Sequence, residues 1–227
     1  MINKKREIVL DTETTGLSFK DGDRIIEIGC VELFDYISTG NNLQIYLNPE
    51  TRKVSEGAIK VHKITNEFLK KQNFFRDRVD EFLNFISNDD LVIHNAKFDI
   101  GFLNNELTIC GKPPIKNQVI DTLVLARKRL GAGALNLDAL CKRFDISTLE
   151  RKAHGALLDS NLLAEVYLEL VGGRQRGLDF AVNTNIKENN QKIKGKTKII
   201  TVSEAEMHEH KKFIETIKNN IWSKSSN

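Results

Sequence analysis

Four carboxylates and one imidazole in this chain have the types and spacing to do chemistry. Asp11 closes the apolar run Ile8-Val9-Leu10, and Glu13, two residues on, points to the same side if the extended backbone continues. Asp99 has Phe102, Leu103 and Leu107 three, four and eight residues ahead of it, which places it on the apolar stripe of a helix. Asp159 repeats the pattern with Leu162, Leu163 and Val166. Carrying an ionised carboxylate into a low-dielectric layer is costly unless a partner compensates, and no Lys or Arg stands at the matching helical positions. Each Asp taken singly also fits a capping acid in a first helical turn. That alternative weakens when both helices and the Asp11/Glu13 pair show the pattern together. A divalent cation would compensate, and hard oxygen ligands suit magnesium or manganese better than zinc. His154 lies five residues before Asp159, and the ordinary imidazole pKa of about 6.5 suits a base that takes a proton from water near neutral pH. Spacing alone gives His62 and His94 no more than ordinary hydrogen-bonded roles.

The elements that must hold these groups follow from periodicity. Glu7 to Leu10 reads as a short buried strand, and Arg24 to Phe34 and Asn42 to Tyr46 supply further β-rich runs. Asn73 to Ile86 carries apolar residues at helical spacing, Leu91-Val92-Ile93 is strand-like, and Phe98 to Cys110 is helical until Pro113-Pro114 interrupts. Val119-Ile120 is a further strand, with helices over Thr122 to Leu130, Leu137 to Phe144 and Ala156 to Leu170. Strands first, then alternating strand and helix, predict an α/β layer fold with a mixed sheet.

A chain of 227 residues, 40% of them hydrophobic, has room for one substantial core and an appendage. No apolar run approaches the roughly 20 residues that span a bilayer, and the start is not a signal-peptide core, so a cytoplasmic protein is expected. Cys30, Cys110 and Cys141 are odd in number and scattered, which fits reduced, buried thiols better than a zinc cage or disulfide framework. Residues 174–227 carry 11 Lys+Arg against 6 Asp+Glu, leaving 23 against 25 for residues 1–173. A slightly acidic body that handles nucleic acid needs something else to neutralise phosphate, and bound metal is the obvious candidate. Gly172-Gly173 closes the last helix of the body, and the polar composition from Asn183 to Lys198 reads as a flexible linker. Ser203 with Glu206 forms a capping-box pattern ahead of a helix whose stripe holds His210, Phe213, Ile214, Ile217 and Ile221. A tethered amphipathic helix is most simply a partner-binding element, the alternative being that it folds back onto the body.

Three stretches carry a family resemblance: Val9-Leu10-Asp11-Thr12-Glu13-Thr14-Thr15-Gly16, His94-Asn95-Ala96-Lys97-Phe98-Asp99 and His154-Gly155-Ala156-Leu157-Leu158-Asp159. They resemble the motifs of the DEDD exonuclease superfamily in its histidine subgroup, and within it the proofreading subunits of bacterial DNA polymerase III. Arg24 to Gly29, Val61 to Ile64, Leu135 to Cys141 and Leu163 to Leu168 extend the likeness over nearly all of residues 1–173. The resemblance implies a ribonuclease H-like fold, a mixed five-stranded sheet flanked by helices. It implies 3′ to 5′ removal of nucleotides from DNA with two divalent cations, Mg2+ or Mn2+. Asp11 would bridge both ions, Glu13 and Asp159 would complete the first site, Asp99 would support the second through water, and His154 would deprotonate the attacking water. Thr14, Gly16, Leu17, Val61, His62 and Phe98 match positions that contact the terminal nucleotide in relatives. Beyond an exonuclease domain of residues 1–173, Gln175, Leu178 and Phe180 in the linker 174–202 resemble a peptide that touches the sliding clamp. The segment 203–227, with Phe213, Ile214, Ile217, Ile221 and Trp222, resembles one that docks on the polymerase alpha subunit, and a small accessory subunit is a further expected partner. The competing readings are a stand-alone exonuclease that trims RNA and a non-catalytic subunit that stabilises the polymerase.

Overall fold

The structure, a computed structural model, describes residues 5–149, 153–172 and 203–216. The chain divides into two units, Met1–Asp179 and Phe180–Asn227. In the first unit the strands are β1 (Arg6–Thr14), β2 (Ile25–Phe34), β3 (Ile37–Tyr46), β4 (Asp90–Ile93) and β5 (Val119–Asp121). The helices are α1 (Glu56–His62), α2 (Asn66–Leu69), α3 (Phe75–Ile86), α4 (Lys97–Ile109), α5 (Thr122–Leu130), α6 (Leu137–Arg143) and α7 (Ala156–Val171). One five-stranded sheet runs in the order β3-β2-β1-β4-β5. The β1–β2 and β2–β3 pairs are antiparallel and the β1–β4 and β4–β5 pairs parallel, so the sheet is mixed as expected.

Alternation along β1 assigns its two faces. Ile8 and Leu10 pack with Leu91, Ile93, Phe82 of α3 and Phe102, Leu103 and Leu107 of α4. Val9 faces the other way, onto Val92, Val31 and the α7 residues Leu163 and Tyr167. On that same face the Tyr167 hydroxyl donates to Glu7 (3.1 Å). A separate cluster, with Ala126, Leu140, Leu162 and Val166, joins α5 and α6 to the back of α7. That explains why α7 is apolar nearly all round: it lies between the sheet and two other helices.

The body departs from the expected elements in three places. β1 continues past Leu10 to Thr14, β3 begins five residues earlier than its apolar run, and α1 and α2 were not anticipated. Each of the two short helices is opened by a side-chain cap, Ser55 accepting from Ala58 and Thr65 from Phe68. In the second unit α8 (Glu204–Thr216) starts with the capping box read from sequence: the Ser203 N–H donates to Glu206 (2.9 Å) and the Glu206 N–H to the Ser203 hydroxyl (3.3 Å). Phe213 is exposed and Ile214 half-buried on this helix. Gln175, Leu178, Phe180, Ile217, Ile221 and Trp222 lie outside the described residues.

Candidate active site

β4 runs parallel to β1, so the strand ends Leu10–Thr14 and Ile93 open on the same edge of the sheet, and α4 starts just beyond β4. The carboxyl ends of parallel strands are where α/β sheets leave a crevice for ligands. Because β1 stays extended through Thr14, Asp11 and Glu13 share the α7 face with Val9, and Thr12 points to the α4 face with Leu10. Two helical layers thereby meet at one strand end. From the α4 side, Asp99 is 3% exposed and accepts a hydrogen bond from the Thr12 hydroxyl at 2.6 Å. From the α7 side, Glu13, His154 and Asp159 come together, each offering a ligand atom within 4.8 Å of the others. Nδ1 of His154 lies 3.2 Å from Oδ2 of Asp159.

The electrostatics are those of a crowded acid cluster. Burial pushes the Asp11 carboxyl well above the usual carboxylate range, and the charges of Asp99, Glu13, Asp159 and Glu27 push it further. Burial also raises Asp99, to about 7, against the hydrogen bonds that favour its ionised form. Among the described residues, neither Asp11 nor Asp99 forms an ion pair with a Lys or Arg. Carboxylate oxygens gathered closely enough to repel one another are the set a divalent cation fits.

Around the acids stand the residues expected to meet a nucleotide. Leu17 is 87% exposed and Val61 48%, while Phe98 is half-buried with its ring centroid 4.9 Å from that of Phe102. His62 is 5% exposed, and its Nδ1 accepts from the Ile64 N–H at 3.0 Å. That bond leaves the proton on Nε2, which is buried without a partner among the described residues. Burial and the neighbouring His154 lower the His62 pKa, so it presents a neutral donor. The backbone N–H of His154 donates to the Val61 carbonyl (3.2 Å), tying the two histidines' segments together. A cavity of about 420 Å3 opens beside His154 and is lined also by Val61, Lys60 and Lys63. A larger one of about 740 Å3, around His94, Arg127 and Asn136, is lined by none of the four acids.

Sequence reasoning missed three supporting residues. Thr12 orients Asp99, Asp121 caps α5 and also accepts from the Asn95 and Ala96 N–H groups (3.1 Å each) in the turn before Asp99, and Glu27 reaches the start of α7. An acid inside the apolar run Ile25 to Ile28 was the signal available for the last of these.

A five-stranded mixed sheet with acids gathered at its strand ends is the arrangement of the ribonuclease H-like nucleases. The nuclease domain of 3′hExo, a DEDDh family member solved bound to rAMP, shares this fold, with a TM-score of 0.65 and 16% identity over 75% of this chain and 93% of that one. The exonuclease (RNase_T) family profile matches residues 8–167. The DNA polymerase III subunit epsilon of Rickettsia felis is 46% identical over 222 residues, 93% of this chain and 96% of the relative. That of Escherichia coli K12 is 45% identical over 185 residues, 78% of this chain and 75% of the relative. The chain belongs to the exonuclease family, in its branch of DNA polymerase III epsilon subunits.

Proposed function

We propose that this protein removes nucleotides one at a time from a DNA 3′ end, in the cytoplasm, as the proofreading subunit of a bacterial replicative polymerase. The observation that carries the reading is the meeting of Glu13, His154 and Asp159 beside Asp11 at the end of β1. The donor set would suit two divalent cations, Mg2+ or Mn2+, with Asp11, Glu13 and Asp159 as the residues that would hold them and Asp99 as a supporting acid. When bound, they neutralise phosphate charge and make water a stronger acid. His154 supplies the base. A carboxylate can only accept, so the contact with Asp159 keeps a proton on Nδ1 and directs the Nε2 lone pair at water. The water oxygen bonds to phosphorus as its proton passes to Nε2, the bond from phosphorus to the 3′ oxygen breaks, and that oxygen takes up a proton. The products are a nucleoside 5′-monophosphate and a strand one nucleotide shorter. His62 donates from Nε2 to the terminal nucleotide, the Thr14 to Leu17 segment and Val61 contact its sugar and base, and Phe98 supports the base from below.

The division of labour places catalysis in residues 1–173, a linker with a clamp-touching peptide at Gln175, Leu178 and Phe180 in 174–202, and the polymerase alpha contact in 203–227 through Phe213, Ile214, Ile217, Ile221 and Trp222. A small accessory subunit is a further partner of the body. The names of the curated relatives support DNA over RNA as the substrate. The test is a time course on a 3′-mismatched primer, with and without metal, analysed for mononucleotides. Metal-dependent release is expected, and much faster attack on a short RNA would favour the RNA-trimming reading. Asp11→Ala with Glu13→Ala should abolish release and leave polymerase binding. Deleting residues 203–227 should do the reverse, and if neither change had its effect the division would be wrong.

A further inference from the structure

Glu27 is a fifth carboxylate at this edge of the sheet, and the catalytic reading leaves it without a role. It is 1% exposed and sits on β2 directly opposite Glu13. Both of its oxygens already have donors. Oε1 accepts from Nε2 of Gln44 on β3 at 2.7 Å, and Oε2 accepts from the backbone N–H of Ala156, the first residue of α7, at 3.1 Å. The start of α7 needs such an acceptor. Its N-cap is Gly155, which has no side chain to satisfy the free N–H groups of the first turn. A carboxylate arriving from the sheet takes the place of a cap and sets a negative charge against the positive end of the helix.

The helix is held at a second point just past that turn. The Ser160 hydroxyl donates to the Gly29 carbonyl at 2.9 Å. A Cβ at position 29 would fall 2.2 Å from the Ala156 carbonyl carbon, so the helix start rests directly on the β2 backbone. His154 precedes this turn and Asp159 ends it, so a shift of the turn moves both relative to Glu13.

We propose that Glu27 is a positioning residue for the hydrolysis, whose buried carboxylate anchors the first turn of α7 on β2 and thereby sets His154 and Asp159 against Glu13. The inference rests on the exonuclease reading for its kinetic consequence, though the anchoring itself does not. Two substitutions separate reach from charge. Glu27→Gln keeps the reach: its amide oxygen accepts from Ala156, its NH2 faces Gln44, and the Gln44 amide turns over to accept. Glu27→Asp keeps the charge but is one methylene too short. A residue that acted through its charge, on the ions or on Asp11, would tolerate Asp and fail as Gln, the opposite order.

The experiment uses the full chain with manganese and a short single-stranded oligodeoxynucleotide, with amide exchange at Ala156 measured in parallel on the metal-free protein. Expected for Glu27→Asp is a fall in kcat of about 10- to 100-fold, KM within about threefold, and faster exchange at Ala156. Expected for Glu27→Gln is a kcat within about threefold of the parent and unchanged exchange. Unaltered Ala156 exchange in Glu27→Asp overturns the anchoring, whatever the activity. A loss of kcat in Glu27→Gln as large as in Glu27→Asp overturns the positioning role. Absence of mononucleotide release by the parent protein sinks the exonuclease reading instead, while the exchange measurement still decides the anchor.

Discussion

Replacing Asp99 by Asn should stabilise the metal-free protein while disabling it. Asp99 is buried, and its folded-state pKa rises from 3.8 to about 7. A carboxyl whose pKa is raised by folding binds its proton more tightly in the folded chain than in the unfolded one. Stability is therefore full below about pH 4 and drains away as the pH climbs to about 7. At about 1.4 kcal/mol per pH unit, the whole rise corresponds to about 4 kcal/mol, an upper bound because neighbouring acids relax when one charge is removed. Asn is isosteric and uncharged, and its carbonyl oxygen can go on accepting from Thr12. For a body of this size about 4 kcal/mol is worth about 8–16 °C in Tm. Calorimetry in chelator should show Asp99→Asn melting above the parent at about pH 8, with the advantage shrinking toward zero at about pH 4. Manganese should narrow the difference by stabilising the parent. An advantage that is absent at about pH 8, or equal at the two pH values, would refute the argument that mutual repulsion and burial destabilise this cluster until a cation arrives.

Three other expectations bear on the site and the core. His154→Gln should lower turnover about 10²- to 10⁴-fold while manganese uptake, followed by titration calorimetry, changes by less than about threefold; equal losses in both would make the imidazole a ligand and not a base. Phe102→Ala should cost about 3–5 kcal/mol in urea unfolding, because this fully buried ring packs against both Phe19 and Phe98, and a cost below about 1 kcal/mol would mean that the core collapses around the gap. Arg24→Met should cost about 3–5 kcal/mol by leaving the buried Glu106 without the bidentate partner that now lies 2.7 Å from each of its oxygens. The double change with Glu106→Met should recover most of it, and failure to recover would show that the pair matters for shape and not for charge.

Period-two and period-3.6 patterns in the sequence located most of the architecture. The β1 face that presents Asp11 and Glu13, and the helices α3, α4, α5 and α7, rest on apolar repeats long enough to be counted. α1 and α2 escaped because they run for seven and four residues, too short for a stripe to show, and their caps at Ser55 and Thr65 are residues common in any loop. The first half of β3 escaped because Ile37 to Asn42 is an exposed edge with no buried alternate residues. At the site, the types and approximate placement of Asp11, Glu13, Asp99, His154 and Asp159 were legible locally. Their partners were not: Thr12 meets Asp99 across 87 positions and Glu27 meets Ala156 across 129, distances over which one sequence carries no pattern. The tautomer of His62 depends on a bond to Ile64 that spacing cannot reveal.

The chain order of the acids has a consequence for synthesis. Asp11 and Glu13 leave the ribosome nearly 150 residues ahead of His154 and Asp159 at the head of α7, in a strand whose neighbours β2 and β3 follow at once. Until that helix covers Val9 and Val31, the newborn polypeptide has only part of the proposed site. On the proposed mechanism the activity is withheld by topology until the body is finished, and a truncated chain that stops before α7 should release no mononucleotides.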